Sequence, residues 1–389
     1  MGWKVMAAQA GKIEYVFAPV IFDGEREHSR SALQIEHGRV AAIVPQSSVP
    51  SGAAMQRFSD GMIAPGFVDL QVNGGGGIML NDDPSVESIR RICAAHRPFG
   101  TTSLLPTLIT DTREITKAAI AAGAEAQRLG VPGFRGLHLE GPHLSKARKG
   151  AHDPDLIRPM DEEDLQILVE AKQSLDTIYI TVAAESVTPE QVLRLAAAGA
   201  IVSLGHSDTD YATASECFMA GASSVTHLFN AMSQIGNREP GLAGAALDSA
   251  NVFCGLIADG FHVHDAVMKA ALRAKQGPGR IFLVTDAMST VGSDITSFTL
   301  NGRTIRRSGG RLTLADGTLA GADVDMISCA RFAHQRLGLE RSEALRMAAL
   351  YPAQCIRRSA ELGTLKPGAR ADFVHLSDAF ELRGVYGGS

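Results

Sequence analysis

Between Ile63 and Met288 the chain alternates short apolar runs with longer amphipathic segments, and this alternation constrains the fold most strongly. The apolar runs are bounded by Gly, Pro, Asn or Asp, which is typical of parallel strands buried on both faces. The segments between them have helical spacing; several open with a capping residue or Pro, and several close with Gly. The apolar runs are Met62–Val72, Thr101–Ile109, Arg135–Glu140, Thr177–Ala184, Ala200–Gly205, Ser223–Leu228, Val252–Ala258 and Arg280–Thr285.

Eight strands with intervening helices predict an α/β fold, a (β/α)8 TIM-type barrel over residues 62–360. A doubly wound open sheet is the alternative, and it too would place ligands at the carboxyl ends of its strands. The predicted helices are Val86–Phe99, Asp111–Leu129, Glu162–Leu175, Pro189–Ala198, Tyr211–Ala220 and Asp265–Lys275.

The two ends of the chain have a different pattern, in which short alternating runs are separated by turn residues. We therefore expect residues 1–61 and 361–389 to form one small β-sandwich domain beside the barrel. The runs that predict its strands are Ile13–Pro19, Leu33–Glu36, Val40–Val44, Ala371–Leu376 and Phe380–Tyr386.

Composition excludes several functional classes. The 389 residues are 45% apolar and 20% charged, as in ordinary globular proteins, and a net charge of −5 argues against a nucleic-acid partner. No stretch approaches a membrane span, and the start of the chain lacks a secretory or myristoylation pattern. Five cysteines without a C-x-x-C pair predict neither a disulfide framework nor a cysteine zinc cluster. A reduced, cytoplasmic protein is the expectation.

Four polar side chains stand where predicted strands end: Glu140, His206, His227 and Asp286. Because the carboxyl ends of barrel strands converge on one mouth, these residues can share a site. Each of them alone is more typical of a structural role. Together, two imidazoles and one carboxylate with an open position match a catalytic divalent-metal set and favour zinc or a similar metal. Asp286 is then placed to take a proton from the activated water.

Motifs surround these residues in a highly specific order. They are Gly-Leu-His-Leu-Glu-Gly-Pro-His (136–143), Lys149-Gly-Ala-His152, Ser203-Leu-Gly-His-Ser-Asp, Thr226-His-Leu-Phe-Asn-Ala-Met, Arg238-Glu-Pro-Gly-Leu-Ala-Gly, Ala258-Asp-Gly-Phe-His-Val-His, Leu283-Val-Thr-Asp-Ala and Leu319-Ala-Gly. From Ala64-Pro-Gly-Phe-Val-Asp to Lys366-Pro-Gly-Ala-Arg-Ala-Asp-Phe, the chain resembles N-acetylglucosamine-6-phosphate deacetylases of the amidohydrolase superfamily.

This resemblance implies hydrolysis of the acetamide of N-acetylglucosamine 6-phosphate to glucosamine 6-phosphate and acetate, in amino-sugar catabolism. It implies that Glu140, His206 and His227 bind one divalent metal ion per subunit, with Asp286 as the catalytic acid and base. Zinc is expected, although iron(II) and manganese use the same ligand set. It also implies a homodimer in which Arg238 reaches the sugar phosphate across the interface. The other implied substrate contacts are Gly141, His152, Asn230, Ala231, His262, Leu319, Ala320 and Gly321.

The chain departs from the wider superfamily after its first predicted strand. Many members place His-x-His there for a second metal, whereas this sequence has Gln71-Val-Asn73. Neutral amides are poor zinc ligands, so the resemblance is to the single-metal branch. Gln71 and Asn73 are expected to contact the water or the acetamide. His138 lies two residues before Glu140 and is expected to face the barrel interior behind the site.

Three alternatives stay open at this point. The first keeps the chemistry and changes the sugar to N-acetylgalactosamine 6-phosphate, which only the loops would distinguish. The second is a cyclic-amide hydrolase, which usually needs two metals bridged by a modified lysine where this chain has Glu140. The third is a non-catalytic relative that uses the barrel for binding, which should have lost a ligand or the catalytic acid.

Overall fold

The structure, a computed structural model, describes residues 14–387. Its central sheet has eight parallel strands that pair in sequence order, without the reversal of strand order that a doubly wound sheet requires. The predicted (β/α)8 barrel is therefore confirmed. The first to eighth barrel strands are Phe67–Val72, Thr101–Ile109, Leu137–Glu140, Ile178–Val182, Ile201–Leu204, Ser224–Val225, Phe253–Leu256 and Ile281–Leu283.

The barrel closes through the residues that follow the short eighth strand. Val72 and Ala287 form a parallel bridge. The Asp286 N–H donates to the Gln71 carbonyl at 3.0 Å, and the Asn73 N–H donates to the Ala287 carbonyl at 2.8 Å. The seam between the eighth and first strands thus lies directly at the predicted catalytic residue.

Helices cover the outside of the barrel, and each predicted helix is present with ends shifted by three residues or fewer. Five of them begin at a side chain that accepts a hydrogen bond from the N–H three residues on: Ser85, Thr112, Asp161, Thr188 and Asp210. The sequence pattern gave no prediction for the sixth helix or for the last three. The α-helices are Val86–His96, Arg113–Arg128, Glu162–Ser174, Pro189–Ala197, Tyr211–Met219, Gly241–Asp248, Asp265–Ala274, Met326–Gln335, Arg341–Ala348 and Leu350–Cys355.

Both ends of the chain form the small β-domain that the sequence predicted. One sheet consists of Arg39–Pro45, Ser31–Glu36, Glu14–Phe17 and Ala54–Arg57. The other consists of Leu382–Tyr386, Phe373–Leu376, Met62–Pro65, Val20–Phe22 and Glu27–Ser29. An apolar cluster that includes Val16, Ile21, Leu33, Ile63 and Phe373 forms their core. The predicted strand position at Ile13 lies outside the described residues, as do the outer ends of the predicted terminal segments.

One predicted strand is wrong, because the run Met62–Val72 is two strands in two sheets. Met62–Pro65 pairs within the terminal domain, and Phe67–Val72 is the first barrel strand. The break falls at Gly66, where the backbone approaches the second strand so closely that a Cβ would lie 2.2 Å from Thr102 Oγ1. The division of the chain into domains at residues 62 and 360 stays a prediction.

An antiparallel sheet between the eighth barrel strand and the last helices was not predicted; we call it the meander. Its strands are Ser297–Leu300, Arg303–Ser308, Arg311–Thr313 and Leu319–Ala322. Leu300, Ile305 and Leu312 pack in one cluster with Ile109, the last residue of the second barrel strand. The meander is therefore attached at the carboxyl end of the barrel. Among residues 14–387, no helix has the length and hydropathy that a membrane span requires.

Candidate active site at the barrel mouth

The ends of four barrel strands bring Glu140, His206, His227 and Asp286 together, as the sequence predicted. Each is the last residue of its strand or follows it by three residues or fewer. His227 Nε2 lies 3.1 Å from Glu140 Oε1 and 3.0 Å from His206 Nε2. His206 Nε2 lies 3.3 Å from the same Glu140 oxygen. One carboxylate oxygen and two imidazole nitrogens, all on buried residues, therefore form a nearly equilateral triangle.

This triangle has the dimensions of a metal ligand set. Ligand atoms about 2.1 Å from a tetrahedral zinc ion lie roughly 3.4 Å apart. His206 Nδ1 contacts the Arg148 carbonyl at 2.7 Å, and because a carbonyl only accepts, Nδ1 carries the proton. With Nδ1 held by this carbonyl, Nε2 is the nitrogen of His206 that faces Glu140 and can serve as a metal ligand. The residues present thus fit a divalent metal ion.

The electrostatics of the cluster also favour a cation. Burial opposes the ionisation of Glu140, but its contacts with His206 and His227 outweigh burial and hold the pKa of Glu140 well below its ordinary value. Burial likewise disfavours a charged His227, yet the Glu140 carboxylate outweighs it and raises the pKa of that imidazole. Positive charge among these atoms is therefore favoured although they are shielded from water.

The backbone is unusual at three of the four residues. His206, His227 and Asp286 have φ values of +48°, +31° and +52°, in the left-handed region that residues other than glycine rarely adopt. Such conformations cost on the order of 1–3 kcal/mol each and cluster at functional sites. The strain turns these side chains toward one another just after their strands end.

Two amides, Gln71 in the first strand and Asn73 directly after it, hold the Asp286 carboxylate. Asn73 Nδ2 donates to Asp286 Oδ1 at 2.7 Å, and Gln71 Nε2 donates to the same oxygen at 3.1 Å. Gln71 Nε2 also lies 3.2 Å from both oxygens of Glu140, so it bridges the two carboxylates. Burial, and then the neighbouring Glu140 charge, raise the pKa of Asp286. Among the hydrogen bonds of residues 14–387, none reaches Asp286 Oδ2, which remains able to take a proton.

A cavity of about 170 Å³ opens above these side chains. It brings together many of the residues that were predicted to contact the substrate. The predicted contacts that line it are Asn73, His152, Asn230, Ala231, His262, Leu319 and Gly321. Leu319 and Gly321 come from the meander, which therefore supplies part of the wall.

Four predicted contacts do not line this cavity. Gln71 lies behind it against Glu140, and Ala320 is buried in the core of the meander. Gly141 follows Glu140 with a φ of +90°, and a Cβ there would lie 2.3 Å from Thr110 Oγ1. Arg238 lies on an exposed loop before the helix Gly241–Asp248. Their substrate roles stay predictions.

His152 offers an alternative ligand atom, because atoms of Glu140, His152 and His206 all lie within 4.8 Å of one another. However, the Thr110 N–H donates to His152 Nδ1 at 3.3 Å, and Thr110 Oγ1 lies 2.7 Å from the same nitrogen; with Nδ1 as the acceptor, the proton of the neutral ring is on Nε2. Burial, and then the neighbouring His206, hold the pKa of His152 well below its ordinary value. A neutral ring with Nε2–H is a hydrogen-bond donor to an oxygen rather than a metal ligand.

Sequence reasoning missed Asp259, which orients His262. The two side chains are buried, with His262 Nδ1 only 2.6 Å from Asp259 Oδ2. Burial opposes ionisation of Asp259, but His262 outweighs it and lowers the pKa of the carboxyl. The sequence carries this aspartate three residues before His262, in Asp-Gly-Phe-His. It was missed because Asp-Gly is also typical of an ordinary turn.

The other two histidines near the site have structural partners. His138 Nε2 lies 2.7 Å from Thr181 Oγ1 inside the barrel, behind Glu140. His143, for which the sequence suggested no role, lies 3.2 Å from the Arg158 carbonyl and 3.9 Å from Asp164. It therefore fixes the loop after the third strand.

Comparison with known proteins identifies the family of the chain. Residues 62–386 match the model of the amidohydrolase family. The chain belongs to that family. Over 322 residues it is 48% identical to an N-acetylgalactosamine-6-phosphate deacetylase of Shewanella sp. (strain ANA-3), covering 83% of this chain and 81% of that protein. Over 349 residues it is 35% identical to an N-acetylglucosamine-6-phosphate deacetylase of Haemophilus influenzae, covering 89% and 90%.

A solved structure extends the likeness to the whole fold. The crystal structure of N-acetylglucosamine-6-phosphate deacetylase from Pasteurella multocida matches with a TM-score of 0.93 at 34% identity, covering 97% of this chain and 98% of that one. The family resemblance inferred from the motifs is thus confirmed, together with the barrel and the β-domain.

Proposed function

We propose that this amidohydrolase is a metal-dependent deacetylase that converts N-acetylglucosamine 6-phosphate and water to glucosamine 6-phosphate and acetate. The observation that carries the proposal is the triangle of Glu140, His206 and His227 beside the held carboxylate of Asp286. The relatives named above act on N-acetylhexosamine 6-phosphates, which supports this substrate class.

Glu140, His206 and His227 are the proposed ligands of one ion per chain. We favour zinc because two imidazoles and one carboxylate with an open position form a typical catalytic zinc set. His227 is preferred to His152 because of the proton on His152 Nε2. When bound, a divalent cation acts as a Lewis acid toward the amide carbonyl and makes water more acidic.

The protein's own groups then move the proton and position the amide. Asp286 Oδ2 accepts the proton of the attacking water and returns it to the amide nitrogen as the C–N bond breaks. Gln71 and Asn73 keep Oδ1 occupied, so that the proton is held at one oxygen. His152 Nε2–H donates to the acetamide oxygen. Acetate leaves with the former water oxygen, and the sugar leaves as the amine.

The phosphate needs local cations and donors because the chain is acidic overall, with a net charge of −5. His262, held by Asp259, and Asn230 are the proposed donors from the cavity wall. Arg238 is the proposed guanidinium ligand, reaching the phosphate across a homodimer interface. Its exposed position leaves the side chain able to project toward another subunit.

N-acetylgalactosamine 6-phosphate is the second candidate substrate. The observation that favours it is the 48% identity to a relative named for that sugar, against 35% for the Haemophilus influenzae relative named for the other epimer. The two sugars differ only in the configuration at C4, so the chemistry described above is unchanged.

A direct assay separates these proposals. Acetate release is measured with the full chain and zinc on both 6-phosphates and on unphosphorylated N-acetylglucosamine. We expect the highest kcat/KM on N-acetylglucosamine 6-phosphate and a large loss without the phosphate. A higher value on the galacto epimer would reassign the sugar, and no acetate from either phosphate would contradict the deacetylase proposal.

A further inference from the structure

Three alternate residues, two in the first barrel strand and one directly after it, bind the same short segment after the eighth strand. Asp69 and Gln71 share the face that points into the barrel, because side chains two apart on a strand share a face, and Asn73 follows directly after the strand. Gln71 and Asn73 donate to the carboxylate of Asp286. Asp69 binds Thr285, the residue before it. The proposed mechanism uses the amides but leaves Asp69 and Thr285 without a role.

The contact between Asp69 and Thr285 is short and fully buried, with both residues 0% exposed. Thr285 Oγ1 donates to Asp69 Oδ2 at 2.6 Å, and the Thr285 N–H donates to Oδ1 at 3.3 Å. The Ala287 N–H in turn donates to Thr285 Oγ1 at 3.3 Å. Both neighbours of Asp286 are therefore connected to Asp69 through one hydroxyl group.

The backbone at this point needs such a constraint. Asp286 has a φ of +52°, and the seam is closed by one bridge and a few hydrogen bonds rather than by a regular ladder. A buried carboxylate is expensive to desolvate, and an apolar pair could close a seam without that expense. The role of Asp69 is therefore to fix the direction of the 285–287 backbone, which apolar packing would not do.

We propose that Asp69, acting through Thr285, is a positioning residue for Asp286. The pair holds the strained backbone so that the Asp286 carboxylate points at the reacting amide. This inference rests on the proposed function, in which Asp286 transfers the proton. Because the pair acts on the orientation of the catalytic group, its loss should lower kcat and leave substrate binding and metal content nearly unchanged.

The test compares Thr285→Val, which keeps the shape and removes the hydroxyl, with Thr285→Ser, which keeps the hydroxyl. We expect Thr285→Val to lower kcat on the phosphorylated substrate by about 10²-fold, the size of loss that a small misplacement causes. KM should stay within about twofold and metal content at one ion per chain, and Thr285→Ser should recover most of kcat. Thr102→Val is the matched control, because Thr102 is a buried strand threonine whose Oγ1, within residues 14–387, hydrogen-bonds only to the Phe67 carbonyl, at 3.5 Å.

Asp69→Asn provides a second route if Thr285→Val does not fold. It should lower kcat with the same unchanged KM, and combining it with Thr285→Val should add little further loss, since both remove one contact. Unchanged kcat in folded variants of an active enzyme would overturn the positioning role and leave the proposed function standing. A wild-type enzyme that releases no acetate from either 6-phosphate would overturn both.

Discussion

Hydrogen-bonding side chains line part of the barrel interior, whereas the core of the terminal β-domain is apolar. Beneath the metal-ligand candidates runs what we call the polar layer, a chain of hydrogen-bonded side chains from five strands: Thr107, His138, Thr181, Thr226, Ser203, Tyr179 and Ser224. The terminal domain instead packs Val16, Ile21, Leu33, Ile63 and Phe373. Barrel interiors are usually filled by branched apolar residues, so the polar layer is the exception.

The two kinds of side chain contribute differently: hydrogen bonds fix the orientation of neighbouring groups, and apolar packing stabilises the fold. Apolar packing stabilises a fold but tolerates side chains of similar volume, whereas hydrogen bonds fix direction. Part of the polar layer lies one to three residues before the ligand candidates: His138 before Glu140, Ser203 before His206, and Ser224 and Thr226 before His227. The other members, Thr107, Tyr179 and Thr181, come from the second and fourth strands. We infer that the barrel interior orients the site, and that the terminal domain chiefly holds the chain ends together.

The largest expected effect concerns the catalytic group at the barrel mouth. Asp286→Asn should lower kcat by roughly 10²–10⁴-fold, because an amide cannot accept the proton of water. Steady-state acetate release measures this loss, and thermal unfolding should show little change. Asp316→Asn, at an exposed carboxyl of the meander, is the control and should retain full activity. Near-normal kcat for Asp286→Asn would remove Asp286 from the mechanism.

The next effect concerns the terminal domain. Ile21 is fully buried there, and Ile21→Ala should lower the free energy of unfolding by about 2–5 kcal/mol because it leaves a cavity. Chemical denaturation measures this change. The kcat of the folded fraction should be unaltered. Ile235→Ala, at a side chain 55% exposed, is the matched control with little effect expected. A large drop in kcat for Ile21→Ala would show that the terminal domain also orients the site.

A smaller effect is expected for the polar layer. Thr181→Val keeps the volume but leaves His138 Nε2 without its partner at 2.7 Å. An unsatisfied buried group costs about 1–3 kcal/mol, and we expect a loss of stability in that range. Unlike Ile21→Ala, this variant should also lower kcat severalfold, because the third strand carries both His138 and Glu140. Equal kcat in Thr181→Val and Ile21→Ala would contradict the inference that the polar layer orients the site and the terminal domain does not.

The last expected effect is a pH dependence of stability at the barrel seam, with no change in kcat required. Burial raises the pKa of Asp69 to about 7, against an ordinary value of 3.8. The folded state therefore holds this proton more tightly than the unfolded chain, so the contribution of Asp69 to stability is full below pH 3.8 and is lost as pH rises to about 7. The melting temperature of Asp69→Asn minus that of the wild type should increase across this interval. A difference independent of pH would contradict the assignment.

The sequence predicted the barrel because its buried parallel strands are continuous apolar runs with clear turn signals. It predicted the convergence of Glu140, His206 and His227 because strand ends share one mouth. The meander was not predicted because half of the residues of its second strand, Arg303–Ser308, are arginines, half are exposed, and it has no apolar run. Gln71 was predicted as a contact of the water or the acetamide, but Asp69 was not predicted, since its bond to Thr285, more than 200 positions away, exists only in three dimensions.

The most direct test of the account is a metal titration of the full chain with acetate release as the readout. After removal of bound metal by a chelator, the enzyme should be inactive on N-acetylglucosamine 6-phosphate. Added zinc should restore activity in proportion up to one equivalent per chain, and His227→Ala should abolish that recovery. Undiminished turnover by the metal-free enzyme, or full activity only at two equivalents, would contradict a single catalytic metal held by Glu140, His206 and His227.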